Sequence, residues 1–152
     1  MNRLNKLFAS GKTNLLSIYF TAGYPQLNTT VDIAEALEKA GVDFLEIGFP
    51  YSDPVADGPT IQYGMHKSLE NGLTLTRLFD ELADMRKTVS IPILLMGYMN
   101  PMLQYGIERF CQKAAEVGVD GIIVPDLPMY EYEQLYSKYF TDNGLSNIFL
   151  VT

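Results

Sequence analysis

Short apolar runs rich in β-formers recur along this chain, each followed by a segment with helical spacing, and no other feature limits its fold so tightly. Leu15 to Thr21 is the first run, ended by Gly23 and Pro25. Thr29 to Lys39 follows, with Ile33, Ala34 and Leu37 at helical spacing, Asn28 or Thr29 as the cap and Gly41 as the stop. Phe44 to Phe49 is the second strand, and Thr74 to Lys87 is the clearest helix, with Leu75, Leu78, Phe79 and Leu82 on one face. The pattern continues with a strand over Ile91 to Met99 and a helix over Ile107 to Val117 that turns Ile107, Phe110, Cys111 and Ala114 one way. A strand at Gly121 to Val124, a helix at Tyr130 to Tyr139 and a strand at Ile148 to Val151 complete it, and a short lead-in helix carries Leu4, Leu7 and Phe8. Strands this apolar are covered on both faces, and the helices between them impose parallel crossovers, so the class is α/β.

The chain also repeats itself. Lys39-Ala40-Gly41-Val42-Asp43-Phe44-Leu45-Glu46-Ile47 is echoed by Glu116-Val117-Gly118-Val119-Asp120-Gly121-Ile122-Ile123-Val124. The interval is two βα units of about 38 residues, a length typical of barrel enzymes in which eight units make ~250 residues. The repeat favours a parallel (β/α)8 barrel over a doubly wound sheet. Five strands do not close such a barrel, and long apolar strands left at an edge invite association. The expectation is therefore about the first five βα units, with residues 1–152 forming the N-terminal part of a single barrel domain. The alternative is a catalytically inactive partial barrel that self-associates through its open sheet edges or only binds a partner.

Composition excludes several classes. The net charge of -7 argues against sequence-independent nucleic-acid binding, which needs a basic surface. One cysteine, Cys111, gives no disulfide framework, and one histidine, His66, is too few for a His-rich metal centre; both read as ordinary helix residues, and no metal is expected. No apolar run approaches the ~18 residues of a membrane span. Asn5, Ser10, Gly11, Lys12 and Asn14 interrupt what would be the apolar part of a signal peptide, so a cytoplasmic location is expected. No glycine-rich nucleotide loop is present.

The chemistry gathers around Leu45 to Gln62. An apolar strand breaks at Gly48 and Pro50 into a loop bearing Asp53 and Asp57. By alternation, Glu46 faces the barrel interior if Leu45 and Ile47 face the helices. A carboxylate desolvated there is suited to trade protons near neutral pH. The bland alternative is a buried glutamate paired with a lysine or a backbone amide. Asp57, in Asp57-Gly58-Pro59, reads by itself as turn chemistry, but it lies on the face where barrel active sites form. Asp53 before Pro54 and the Asn100-Pro101 pair read as turn residues. Asp126, in Pro125-Asp126-Leu127-Pro128, reads as a loop anchor, and Tyr130, Tyr132, Tyr136 and Tyr139 as a helix packing face.

The run from Leu45-Glu46-Ile47-Gly48-Phe49-Pro50-Tyr51-Ser52-Asp53-Pro54 to Val55-Ala56-Asp57-Gly58-Pro59-Thr60-Ile61-Gln62 resembles the signature of the tryptophan synthase alpha family. The likeness continues through Phe20-Thr21-Ala22-Gly23-Tyr24-Pro25, Tyr98-Met99-Asn100-Pro101 and Gly118-Val119-Asp120-Gly121-Ile122-Ile123-Val124-Pro125-Asp126-Leu127-Pro128. The resemblance implies a TIM barrel and a retro-aldol lyase of tryptophan biosynthesis that cleaves indole-3-glycerol phosphate to indole and glyceraldehyde 3-phosphate. It assigns proton transfer to Glu46, the indole N–H to Asp57, and an apolar ring slot to Tyr19, Met96, Tyr98, Ile123 and Leu150, all expected at inward strand positions. Tyr19 stands where the family is expected to carry phenylalanine. The resemblance further implies a beta subunit in an alpha2-beta2 complex, with Asp53, Asn100 and Pro101 at the interface. No cofactor is expected on this chain, pyridoxal phosphate belonging to the beta partner. The family's phosphate-binding loops follow later strands, so the 152-residue chain alone is expected to show negligible turnover.

Overall fold

The computed structural model describes residues 1–151. Its centre is a single five-stranded parallel sheet in the order β1-β2-β3-β4-β5, formed by Ser17–Thr21, Phe44–Gly48, Ile93–Met96, Gly121–Ile123 and Ser146–Ile148. Each strand pairs with the next in the chain, and all pairings are parallel. Helices fill every crossover: α1 (Arg3–Ala9) precedes the sheet, α2 (Thr30–Lys39) joins β1 to β2, and α3 (Pro59–Glu70) and α4 (Leu75–Leu82) join β2 to β3. The next crossovers hold α5 (Met99–Tyr105) and α6 (Ile107–Glu116), then α7 (Met129–Glu131) and α8 (Ser137–Asp142), which a π-helical turn at Tyr132–Tyr136 connects.

The two faces of the sheet have different partners. Leu45, Ile47, Ile93, Leu95 and Ile122 are fully buried against the helix layer, with Leu78, Leu82, Phe110 and Phe140 in the same core. The opposite face carries two in-register rows. One runs Tyr19, Glu46, Leu94, Gly121, Ser146, and the next Thr21, Gly48, Met96, Ile123, Ile148. Such rows are the layers that fill a barrel interior. Leu4 of α1 packs beneath this face on Leu94 and Ile123, and Phe8 meets Phe44 at 6.1 Å between ring centroids. A Cβ on Gly48 would lie 2.1 Å from the Tyr19 hydroxyl, so the absent side chain is what lets the phenol reach across β2.

The internal repeat has a physical basis. Gly41 and Gly118 both take positive φ, 95° and 83°, just past α2 and α6. In each case the next amide turns back to a carbonyl of the last helical turn, Val42 N to Leu37 O at 3.2 Å and Val119 N to Ala114 O at 2.8 Å, which is the Schellman closure. The aspartate that follows then fastens the start of the preceding strand: Asp43 accepts from Leu16 N at 2.9 Å and Asp120 from Ile93 N at 3.0 Å. The echo is thus one solution, used twice, for bringing a helix back to a strand.

Several expected boundaries move. The strands are shorter than the apolar runs, because residues such as Leu15 and Ile91 lead into the sheet without pairing. The helix expected over Thr74 to Lys87 ends at Leu82 and gives way to a 3-10 turn at Met85–Lys87; Thr74 caps it, accepting from Arg77 N at 3.2 Å. Asp57-Gly58-Pro59 is a helix start rather than a plain turn, with Pro59 in the first turn of α3. Asn100 and Pro101 lie within α5 and not in a turn. Tyr132, Tyr136 and Tyr139 pack on the core as expected, but Tyr130 is exposed. The last strand lies at Ser146–Ile148, three residues short of the expected Val151 in its C-terminal limit.

Candidate active site

Strand alternation brings Glu46 to the inner face, because Leu45 and Ile47 on either side of it are drawn into the helix-facing core. Glu46 is half-buried, so the desolvation expected from the sequence is incomplete, and its Oε1 accepts a hydrogen bond from Ser17 Oγ at 2.7 Å. Neither a lysine nor a backbone amide claims this carboxylate among the described contacts, which removes the structural pairing weighed for it. Ser17 escaped the sequence reading, although it lies two residues before Tyr19 in β1 and therefore on the same face.

Tyr19 stands beside Glu46 in the register. Burial raises the pKa of its phenol, a hydrogen bond with Thr21 opposes that, and the negative charges of Asp57 and Glu46 push it up further. Tyr19 therefore stays a neutral hydroxyl at neutral pH. Its oxygen is 3.3 Å from Thr21 Oγ1.

Asp57 sits half-buried in the loop between β2 and α3. The loop is braced by its own backbone, with Val55 N on Asp53 O at 2.8 Å and Asp57 N on Pro54 O at 3.1 Å. Gln62 of α3 adds its amide to the carbonyls of Asp57 at 2.9 Å and Pro54 at 3.2 Å. The Asp57 carboxylate accepts from Tyr98 Oη at 2.8 Å, and the same phenol oxygen accepts from Ala56 N at 3.2 Å. The sequence placed Tyr98 on a strand; the structure puts it just past β3, at the N-cap position of α5, with no side-chain capping bond of its own. Asp126 accepts from Met99 N at 2.9 Å, tying the loop after β4 to the start of α5, which is the anchoring role its sequence context favoured.

Met96 and Ile123 occupy the next inner row, where an apolar slot places them. Leu150 is not on the strand expected for it: it lies two residues past the end of β5 and is 63% exposed. Asp53 and Asn100 are exposed at the rim and Pro101 is half-buried. Beside them runs a groove of ≈ 390 Å³ lined by Pro50, Tyr51, Ser52, Asn100, Pro101 and Gln104 among others. So Tyr19 and Glu46 lie mid-strand on the inner face of β1 and β2, Met96 and Ile123 end β3 and β4 one row further on, and Asp57 and Tyr98 follow in the segments after β2 and β3; Asp53 and Asn100 stay exposed and Pro101 half-buried beside the groove.

The family model described as tryptophan synthase alpha chain matches residues 4–152. The chain is 55% identical over its whole length to the tryptophan synthase alpha chain of Flavobacterium psychrophilum, of which it covers 60%. It is likewise 55% identical to that of Flavobacterium johnsoniae, again over 60% of the relative. Among solved structures, tryptophan synthase subunit alpha from Legionella pneumophila superposes with a TM-score of 0.93 at 41% identity, covering 99% of this chain and 59% of that one. A tryptophan synthase from M. tuberculosis in ligand-free form superposes at 0.90 with 34% identity. The chain spans about 60% of the length of the curated relatives it matches. Its five parallel strands take the place of five strands of their TIM barrels, and with the inner-face carboxylate and the matched signature this chain belongs to the tryptophan synthase alpha chain family.

Proposed function

We propose that these residues carry the carboxylate pair of a lyase that cleaves indole-3-glycerol phosphate to indole and glyceraldehyde 3-phosphate. The observation that carries this reading is the placement of Glu46 on the inner face beside Tyr19, with Asp57 in the loop that follows the same strand. The reaction breaks the bond between indole C3 and the glycerol chain. Protonation at C3 turns the ring into an electron sink, the glycerol hydroxyl loses its proton as the aldehyde forms, and the electron pair of the broken bond restores the indole. Glu46 is suited to move those protons from the inner face. Asp57 is suited to accept the indole N–H and so stabilise positive charge on the ring as it develops. Tyr19, Met96 and Ile123 supply flat and apolar surface for the ring.

Asp53, Asn100 and Pro101 form the rim suited to a beta subunit, which would hold the pyridoxal phosphate; no residue here is assigned to that cofactor. A cytoplasmic location fits this reading, and among the described residues no helix is long and apolar enough to cross a membrane. The test is indole release from indole-3-glycerol phosphate by the 152-residue chain, with and without beta subunit. The same assay is run on a chimaera in which this chain replaces the matching part of the Flavobacterium psychrophilum relative. Glu46→Gln should lower turnover of the active form by about 10²–10⁴-fold, the range of a lost general acid or base, and Asp57→Asn by about 10²–10³-fold, the range of a lost charge-stabilising contact. An active chimaera that keeps its rate after Glu46→Gln would overturn the assignment.

A further inference from the structure

Asp57 is carried by a loop whose neighbouring positions face solvent. Val55 is 87% exposed, and Asp53, Ala56 and Gly58 are exposed as well. A short carboxylate on such a segment has several staggered rotamers open to it unless something selects one. One side chain does so. Tyr98 is 5% exposed and rooted between β3 and α5, and its phenol donates to Asp57 Oδ2 at 2.8 Å while accepting the amide of Ala56 at 3.2 Å. The phenol thereby grips both the carboxylate and the backbone beside it.

The phenol is itself held. The Tyr51 ring packs on Tyr98 with centroids 5.1 Å apart and a 35° tilt, and the Asn100 amide reaches the Tyr51 hydroxyl at 3.4 Å. Met99, next in the chain, is fastened by Asp126. Among the described residues the Asp57 carboxylate has no other hydrogen-bond donor, so its orientation depends on this one contact. The contact also divides the carboxylate: Oδ2 is engaged by protein, which leaves Oδ1 as the oxygen open to a substrate N–H.

We infer that Tyr98 is a positioning residue that clamps Asp57 in one rotamer and presents Oδ1 to the ring nitrogen, with Tyr51 buttressing the clamp. This rests on the reading of Asp57 given above. Its value to catalysis is geometric, since misplacing a reacting group by about 1 Å can lower a rate about 10²-fold. A slot-lining tyrosine would act through its ring alone; this one acts through its oxygen.

The experiment is NMR on the isotopically labelled 152-residue chain. Three-bond couplings from the Asp57 side-chain carboxyl carbon to its own backbone nitrogen and carbonyl carbon report the χ1 population. The expected result is a single rotamer in the parent chain and averaged couplings in Tyr98→Phe, which keeps the ring and removes only the oxygen. A single rotamer in both, or averaging in both, overturns the inference, and a change in melting temperature without a change in the couplings does the same. A second reading comes from the other side of the contact. The Tyr98 pKa is pushed up to about 12, first by burial and then by its hydrogen bond to Asp57. Titration followed at the Tyr98 ring carbon bearing the hydroxyl should therefore move down in Asp57→Asn, and an unmoved titration counts against the clamp. Neither reading requires turnover, so a chain that releases no indole still decides the matter, and failure of the lyase assignment is kept apart from failure of the clamp.

Discussion

Removing the buried carboxylate of Asp120 should be among the most damaging single changes away from the site. Asp120 is 1% exposed and collects three segments of chain at the N-terminal end of the sheet. Its Oδ2 accepts from Ile93 N at 3.0 Å and Arg86 Nη2 at 2.8 Å, and its Oδ1 from Arg3 N at 3.0 Å and Arg3 Nη1 at 3.3 Å. In Asp120→Ala the Ile93 amide, which is buried, loses its acceptor, and the Arg86 guanidinium, with 17% of its side chain exposed, loses its counter-charge. Breaking a buried pair by removing one partner costs about 3–5 kcal/mol. Arg86 keeps the carbonyls of Gly118, Val89 and Ile91, which places the loss at the lower end, about 3 kcal/mol. At about 2–4 °C per kcal/mol for a chain of this size, the melting temperature should fall by roughly 10 °C. The internal repeat supplies the control. Asp43→Ala removes the equivalent hold on Leu16 N, but its other partner is the solvent-exposed Lys12, so its loss should be clearly smaller. Urea unfolding followed by far-ultraviolet circular dichroism gives both values on one scale. If Asp120→Ala shifts the midpoint no more than Asp43→Ala, the argument from buried charge is wrong.

Two further outcomes follow from the packing and the buried acids. A methyl group at Gly97 would lie 2.2 Å from Phe49 Cε2, in a ring that is fully buried and packed on Phe110 at 5.5 Å, so Gly97→Ala should destabilise by about 1–3 kcal/mol; an unchanged urea midpoint would mean the ring can swing away. Stability should also fall in alkali. Burial pushes the Cys111 thiol up to about 12 from 9.0 and the Tyr98 phenol up to about 12 from 10.0, and Tyr19 and Tyr132 move the same way, again chiefly through burial. These groups stay neutral in the folded chain while the unfolded chain ionises, so their contribution is whole below about pH 9 and is lost as pH rises towards 12. Arg86, drawn down to about 10 chiefly by burial, has the opposite sign, but one group stands against four. Melting temperatures measured from pH 7 to 11 should stay level and then decline above about pH 9, and a flat profile to pH 11 would sink the argument.

The inward placement of the candidate carboxylate was readable without a structure. Glu46 could be turned inward by parity alone, since Leu45 and Ile47 are apolar and a strand alternates its faces; the register then seats it beside Tyr19. The repeat around Gly41 and Gly118 marked a helix-to-strand turn, and the positive φ at both positions is the reason glycine stands there. The last strand was misplaced for a local reason, which left Leu150 off it: Ile148 to Val151 reads as an apolar run, but pairing with β4 selects Ser146–Ile148, and only the neighbouring strand holds that information. Tyr130 was misplaced because it precedes Tyr132 by only two positions, which a helix sets on opposite sides, whereas Tyr132, Tyr136 and Tyr139 follow helical spacing and pack on the core.

The sequence by itself determined the alternation of strand and helix, the parallel class, the inward carboxylate and the family, because each rests on short-range periodicity or on a long contiguous signature. The tertiary structure alone decided which groups touch. Tyr98 and Asp57 are 41 positions apart in the chain, and their hydrogen bond exists only because β2 and β3 lie side by side and end at the same level. Ser17 reaches Glu46 across 29 positions for the same reason, through the pairing of β1 with β2. Periodicity along a chain records which face a residue takes; the partner it meets there is set by register between strands, which no local pattern encodes.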